Sequence, residues 1–209
     1  MQGLVWALKL PQRCLERWPI VTLAVCFAAV LVVFVASPVT ISADSRWSLH
    51  TAQSLLHGEA GRLDAYTEAL KAQQNYAIDL IDGHPRTFFP MGVSFLAMPF
   101  VAVMSAINPR FDSTLKQGIA HGSEKFVASF YGALASALFC WLIWIVFRDG
   151  LLAACGLVLF AYATSAWSLT SRGLEQHGPA MLMFIVTAIL LVYGSRQSKF
   201  VRYAALPLS

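Results

Sequence analysis

An all-α, polytopic transmembrane helical bundle is the fold class this sequence predicts, and three observations predict it. Hydrophobic residues make up 57% of the 209 and charged residues 12%, where soluble domains carry roughly a quarter charged. Apolar runs approaching the roughly 20 residues of a spanning helix recur along the chain. Lys and Arg collect at the ends of those runs instead of forming a patch of their own. The net charge of +4 and the pI near 9.0 therefore read as topology signals, and no nucleic-acid partner is expected.

The first element is the apolar run 19–39. It exceeds the roughly 7–15 residues of a cleavable signal core, and Ile41-Ser42-Ala43 makes a poor cleavage site, so the run is expected to remain as a signal anchor. Lys9, Arg13 and Arg17 precede it and argue for a cytoplasmic N-terminus. Residues 42–86 then form an external loop. Within it, Asp44 or Ser45 can cap a helix whose face carries Trp47, Thr51 or Ala52, and Leu55 or Leu56. That spacing predicts an amphipathic juxtamembrane helix with Trp47 at head-group depth. His50 and His57, two helical turns and about 10 Å apart, are too distant to share one ion and are expected on the surface. Further on, Glu68-Ala69-Leu70-Lys71-Ala72 are helix formers.

Four more apolar runs follow, 88–107, 126–147, 151–167 and 180–193, and the residues from Ala204 resemble the start of a sixth. If all five cross, Arg196, Lys199 and Arg202 end outside, against the usual cytoplasmic excess of basic residues. Segment 88–107 carries Pro90, Gly92 and Pro99, and Pro99 removes a helical hydrogen bond and favours a kink. With this segment interfacial or re-entrant, about four full spans remain. The turn Arg148-Asp149-Gly150 is then cytoplasmic, the connection 168–179 external and the 196–202 cluster internal. Full crossing instead places Arg110, Lys116 and Lys125 in the cytoplasm, which the same rule favours, so both arrangements stay open. Residues 1–209 read as a single membrane domain without internal repeats.

Cys26, Cys140 and Cys155 lie in apolar runs and Cys14 in the basic N-terminal stretch, with no spacing of a metal site or disulfide framework. No Gly-rich phosphate loop, HExxH or paired CxxC occurs, so soluble nucleotide enzymes and zinc hydrolases lack support. Under the interfacial topology two polar clusters share the outer face, Asp44 to His57 and Ser171 to Pro179. Asp44 suits either a helix cap or a general base. Glu175 and His177 precede Gly178-Pro179, a helix start with Pro near its first turn. They are either loop residues or an acid and a base aimed into a cavity, beside Arg172, whose guanidinium suits a phosphate. His84 and Arg86, set between Pro85 and Pro90, suit a membrane anchor or a phosphate contact. The long apolar runs themselves hold no charged residue, which argues mildly against an ion or proton pathway.

These residues carry a resemblance. The anchor helix, the loop acid of Asp44-Ser45-Arg46-Trp47, the stretch ending in Leu55-Leu56-His57-Gly58, the Pro-bounded His84-Pro85-Arg86-Thr87-Phe88-Phe89-Pro90-Met91-Gly92 and the later Ser171-Arg172-Gly173-Leu174-Glu175-Gln176-His177-Gly178-Pro179 are similar to the N-terminal part of GT-C-type glycosyltransferases. That polytopic superfamily includes protein O-mannosyltransferases, aminoarabinose transferases and oligosaccharyltransferases. The resemblance implies that Asp44 is the catalytic base, that the stretch around Pro85 to Pro90 is a juxtamembrane element, and that the donor is a polyprenyl-phosphate sugar. His84, Arg86, Arg172, Glu175 and His177 are the expected substrate-binding residues, and Arg86, Arg172 or His177 would stabilise the departing phosphate. Some family members have two adjacent acids in the first loop where this chain has Asp44-Ser45, which weakens a metal bridged by neighbouring carboxylates. No metal ligands are expected, and no motif names a divalent ion, the sugar, the acceptor or an oligomeric state.

Family members usually continue through further spans, so the chain is expected to be the N-terminal part of a longer protein, inactive if its site is incomplete. Its expected place is the bacterial inner membrane, with membrane lipid, a lipid-linked sugar and an acceptor as partners. The rival expectation is a non-catalytic integral membrane subunit or small transporter whose loop helix docks a partner.

Overall fold

The computed structural model describes residues 2–40, 44–74, 77–118 and 120–196. Ile41-Ser42-Ala43, the residues from Ala204 and most of the basic 196–202 cluster lie outside these. In chain order the elements are α1 (Gln2–Arg17), α2 (Pro19–Ala36), α3 (Ser48–Leu56), a 3-10 turn (Asp64–Tyr66), α4 (Thr67–Ala72), β1 (Ile78–Ile81), β2 (His84–Thr87), α5 (Gly92–Ile107), α6 (Phe111–Lys116), α7 (His121–Phe147), α8 (Gly150–Ala163), a π turn (Ala166–Thr170) and α9 (His177–Arg196). They divide into two compact units. A helical unit holds the residues up to 38, 129–171 and those from 177, and a mixed unit holds 39–128 and 172–176.

In the helical unit, composition accounts for both helix formation and an apolar outer surface. Three helices are long and apolar enough to cross a membrane, Pro19–Ala36, His121–Phe147 and His177–Ser195, the second beginning in the mixed unit. At 1.5 Å per residue α2 reaches about 27 Å and α7 about 40 Å, against a hydrocarbon core of about 30 Å. Their outward residues are apolar: Ile20 is 81% and Phe184 76% exposed, an arrangement suited to lipid and costly in water. Pro19 starts α2, where its missing N–H breaks no hydrogen bond. The run 151–167 becomes the 14-residue α8, about 21 Å long, followed by the π turn.

Inside this unit Leu15, Cys140, Trp144, Ile145 and Ala153 form one core, and Val30, Phe34, Ala133 and Ala161 another. The expected Arg148-Asp149-Gly150 turn is present, with Arg148 at φ 57°. Asp149 caps α8, accepting from the amides of Leu151 (2.8 Å) and Leu152 (3.0 Å).

The mixed unit departs from the sequence expectation at α3. This helix packs along α5, and every residue from Leu49 to Ser54 is buried, so it is a core helix and not an amphipathic surface one. Trp47 is 1% exposed, its ring 4.9 Å from that of His50, which in turn lies 4.9 Å from Tyr66. The surface placement of His50 is therefore corrected, and Trp47 packs inside the unit, while His57 is exposed as expected. Asp44 does not cap α3 either. Trp47 holds the cap position and makes no side-chain cap bond, and the Ser48 amide donates to the Ser45 carbonyl at 2.8 Å.

Two further features were not in the sequence reading. β1 and β2 pair antiparallel from Ile78↔Thr87 to Ile81↔His84, an exception to the all-α class. Asp82 (φ 55°) and Gly83 (φ 77°) make the turn between them, as two-residue hairpin loops require. α5 is one unbroken helix of 16 residues through Pro99. Pro99 lies on the exposed side, and the helix continues through the lost hydrogen bond. The helix formers around Glu68 do form α4.

Candidate functional site

Asp44 is exposed and opens the turn before α3. Its neighbour Ser45 is buried, and the Ser45 hydroxyl donates to the carboxylate of Glu124. Glu124 lies in the first turn of α7 and is only 2% exposed. The same carboxylate oxygen accepts the backbone N–H of Leu174 at 3.2 Å. One buried oxygen thus ties two segments that are remote in sequence, the Asp44 turn and the loop carrying Arg172 and Glu175. A carboxylate taken out of water is strongly destabilising unless its lone pairs are used, and these two donors use those of one oxygen. Beside it Lys125 is 7% exposed, and Arg172 is near enough for its positive charge to act on Lys125.

The other expected site residues are held elsewhere. His84 lies on β2, with its Nδ1 2.9 Å from a carboxylate oxygen of Asp64. Next to it, the Pro85 carbonyl accepts from the Leu63 amide at 2.8 Å. Arg86 is half-buried and stands opposite Asp79 in the ladder. Its Nε is buried, with no hydrogen-bond partner among the described residues. A cleft of about 460 Å³ runs beside this hairpin, lined by Asp64, Thr67, Leu70, Lys71, Leu80 and Pro85 among others. His177, exposed, is the first residue of α9 and belongs to the helical unit. Gly178 and Pro179 follow it in the first turn, as the sequence predicts.

Glu124 and Lys125 did not figure among the expected site residues. The signal was an adjacent acid and base immediately before the run 126–147. The helix starts at His121, ahead of that run, so both charges ride on the helix itself. His50 is another buried ionisable group in the mixed unit. Burial drives its pKa from 6.5 down to about 4, partly offset by the backbone carbonyls of Leu115 and Arg46. A hydrogen-bonded group behind it fastens α3 to α5 and α6. Gln53 Nε2 donates to Asp112 at 2.9 Å, and the Ser105 hydroxyl donates to the same oxygen at 3.1 Å.

Among the described residues, no group of three His, Cys, Asp or Glu side chains is placed to hold a metal ion. No known family model, curated protein or solved structure matches this chain.

Proposed function

We propose that this protein is a membrane glycosyltransferase of GT-C-like type, moving a sugar from a polyprenyl-phosphate donor to an acceptor hydroxyl at the outer membrane face. The supporting observation is that the Asp44 turn and the Arg172–Glu175 loop are bonded to one carboxylate oxygen, that of Glu124. An exposed acid and a guanidinium-bearing loop then share one neighbourhood, as acid–base chemistry on a phosphate-linked sugar requires.

Asp44 takes the proton of the acceptor hydroxyl, whose oxygen attacks the anomeric carbon while the bond from that carbon to the lipid phosphate breaks. The product is inverted, and the electron pair leaves with the phosphate. A base must stand within hydrogen-bond reach of that proton, which the exposure of Asp44 permits. Arg172, with Arg86 and His177 as further candidates, stabilises the charge growing on the phosphate, and His84 and Glu175 contact donor or acceptor. The isoprenoid tail stays in lipid.

The membrane is taken to be the bacterial inner membrane. Lys9, Arg13 and Arg17 support a cytoplasmic N-terminus, and this reading sets α5 at the outer interface within one polytopic domain. A second reading, a non-catalytic subunit that docks a partner, is favoured by the hairpin tip, where Leu80 and Ile81 are exposed.

Asp44→Asn separates the two. In membranes supplied with a polyprenyl-phosphate sugar, transfer should fall by about 10²–10⁴-fold, the usual contribution of a general base. Undiminished turnover excludes Asp44 as the base, and a parent protein that transfers nothing leaves the docking reading.

A further inference from the structure

We infer that Glu124 is a positioning residue: its carboxylate, gripping Ser45 and Leu174 together, fixes the Asp44 turn against the Arg172–Glu175 loop so that the two act as one site. The geometry is local and specific. Ser45 adjoins Asp44 in sequence, and Leu174 lies between Arg172 and Glu175, so each donor is within two residues of a candidate group. The Ser45 hydroxyl and the Leu174 amide meet the same oxygen of Glu124, and no rotamer change of Glu124 can release one segment while leaving that oxygen on the other unmoved. Ser45 and Leu174 are themselves buried, so water does not compete for these bonds. Glu124 sits near the start of α7, a rigid helical mount, and rigid mounts are what hold loop-borne groups at a defined spacing.

The tie itself stands on these bonds. Its catalytic consequence rests on the transferase reading. Hydrogen bonds to a charged carboxylate are shorter and roughly twice as strong as neutral ones. A Gln at this position keeps an oxygen that accepts both donors, and an Ala keeps none.

The test uses the full chain in lipid nanodiscs, with Cys14, Cys26, Cys140 and Cys155 replaced by Ala and nitroxide labels on cysteines introduced at Ser48 and Gln176. Pulsed electron–electron resonance should give a narrow distance distribution in the parent. Glu124→Ala should broaden it, and Glu124→Gln should restore most of the narrowness. An Ala variant as narrow as the parent overturns the inference. Should the Ala variant fail to fold, Ser45→Ala, which removes one bond, decides instead: a broadened distribution supports the tie and an unchanged one overturns it.

Where the parent transfers sugar, Glu124→Ala should lower kcat by about 100-fold, as expected for a misplacement near 1 Å. The donor KM should stay within about threefold, and Gln should recover most of the rate. A loss confined to KM refutes the positioning role. A parent that transfers nothing defeats the transferase reading alone, since the distance measurement judges the tie independently.

Discussion

His50 shows how a single side chain sets the acid limit of the mixed unit. It is fully buried between Trp47 and Tyr66, with Nε2 3.0 Å from the Leu115 carbonyl, and its pKa is lowered to about 4 chiefly by burial. The unfolded chain binds this proton near pH 6.5, so stability from the neutral ring is complete above that pH and is lost as pH falls through about 4. The shift corresponds to a loss on the order of 3 kcal/mol. Urea unfolding of the detergent-purified protein at pH 4, 5, 6 and 7 should show this slope, and His50→Gln should flatten it relative to wild type. Equal slopes in the two proteins exclude His50 as the source. Nothing local announces this residue. Around Ser48 to Ser54 the apolar residues recur at a spacing of three and four among polar ones and so read as a surface helix. His50 Nε2 and Gln53 are instead met by Leu115, Asp112 and Ser105, more than fifty positions later in sequence. Asp44, Arg172 and Glu175 were legible as residue types beside apolar runs. Glu124, which joins them, was not, because a charged pair before a span reads first as a topology signal.

Between elements, backbone proximity leaves tests that side-chain packing does not. A Cβ on Gly150 would lie 2.2 Å from Gln12 N, 2.4 Å from its Cα and 2.7 Å from the Pro11 carbonyl carbon, and the Gly150 amide donates to Gln12 Oε1 at 2.7 Å. α1 and the start of α8 therefore meet backbone to backbone, and no rotamer can absorb an added methyl. Gly150→Ala should destabilise by about 1–3 kcal/mol, the usual range for overpacking, read as an earlier SDS-induced unfolding midpoint. Gly156→Ala is the control, because its Cβ comes closest, at 2.1 Å, to the movable Cδ1 of Ile143, and it should shift the midpoint less. Equal shifts would mean that the α1–α8 contact is not fixed by backbone approach. At this scale the sequence was informative where the signal is short-range. Asp149-Gly150 marked its turn, and Asp82-Gly83 between Ile78-Asp79-Leu80-Ile81 and His84 is the short-range hairpin signal that a search for helices passed over. Pro99 removes a helical hydrogen bond without ending α5.

For the whole molecule the open quantity is parity, the number of times the chain crosses, and α5 decides it. Its exposed positions, Phe95, Pro99, Ala102, Val103, Ala106 and Ile107, form one apolar stripe, while Ser94, Ala97 and Val101 are buried. That is the reverse of a water-facing helix and suits lipid. Its 16 residues make about 24 Å, short of the roughly 30 Å core. Both ends of α5 also meet the segment that contains α3. A Cβ on Gly61 would be 3.2 Å from Met91 Cε just before α5, and near its other end Ser105 donates to Gln53 at 3.4 Å. A crossing helix with both ends held by residues 53–61 would draw that polar stretch, including exposed Arg62 beside it, across hydrocarbon, at a cost of several kcal/mol for each unsatisfied polar group. An interfacial α5 avoids this. Single cysteines at Glu59, Asn108, Gln176 and Arg17, in a background lacking the native four, should then divide three against one. An impermeant maleimide added to intact spheroplasts should modify the first three, and Arg17→Cys should react only after permeabilisation. Modification of Asn108→Cys only after permeabilisation would make α5 a span. It would also reverse the expected side of every later loop, parting the Arg172 loop from the Asp44 turn and leaving the shared carboxylate of Glu124 with no compartment in which to join them.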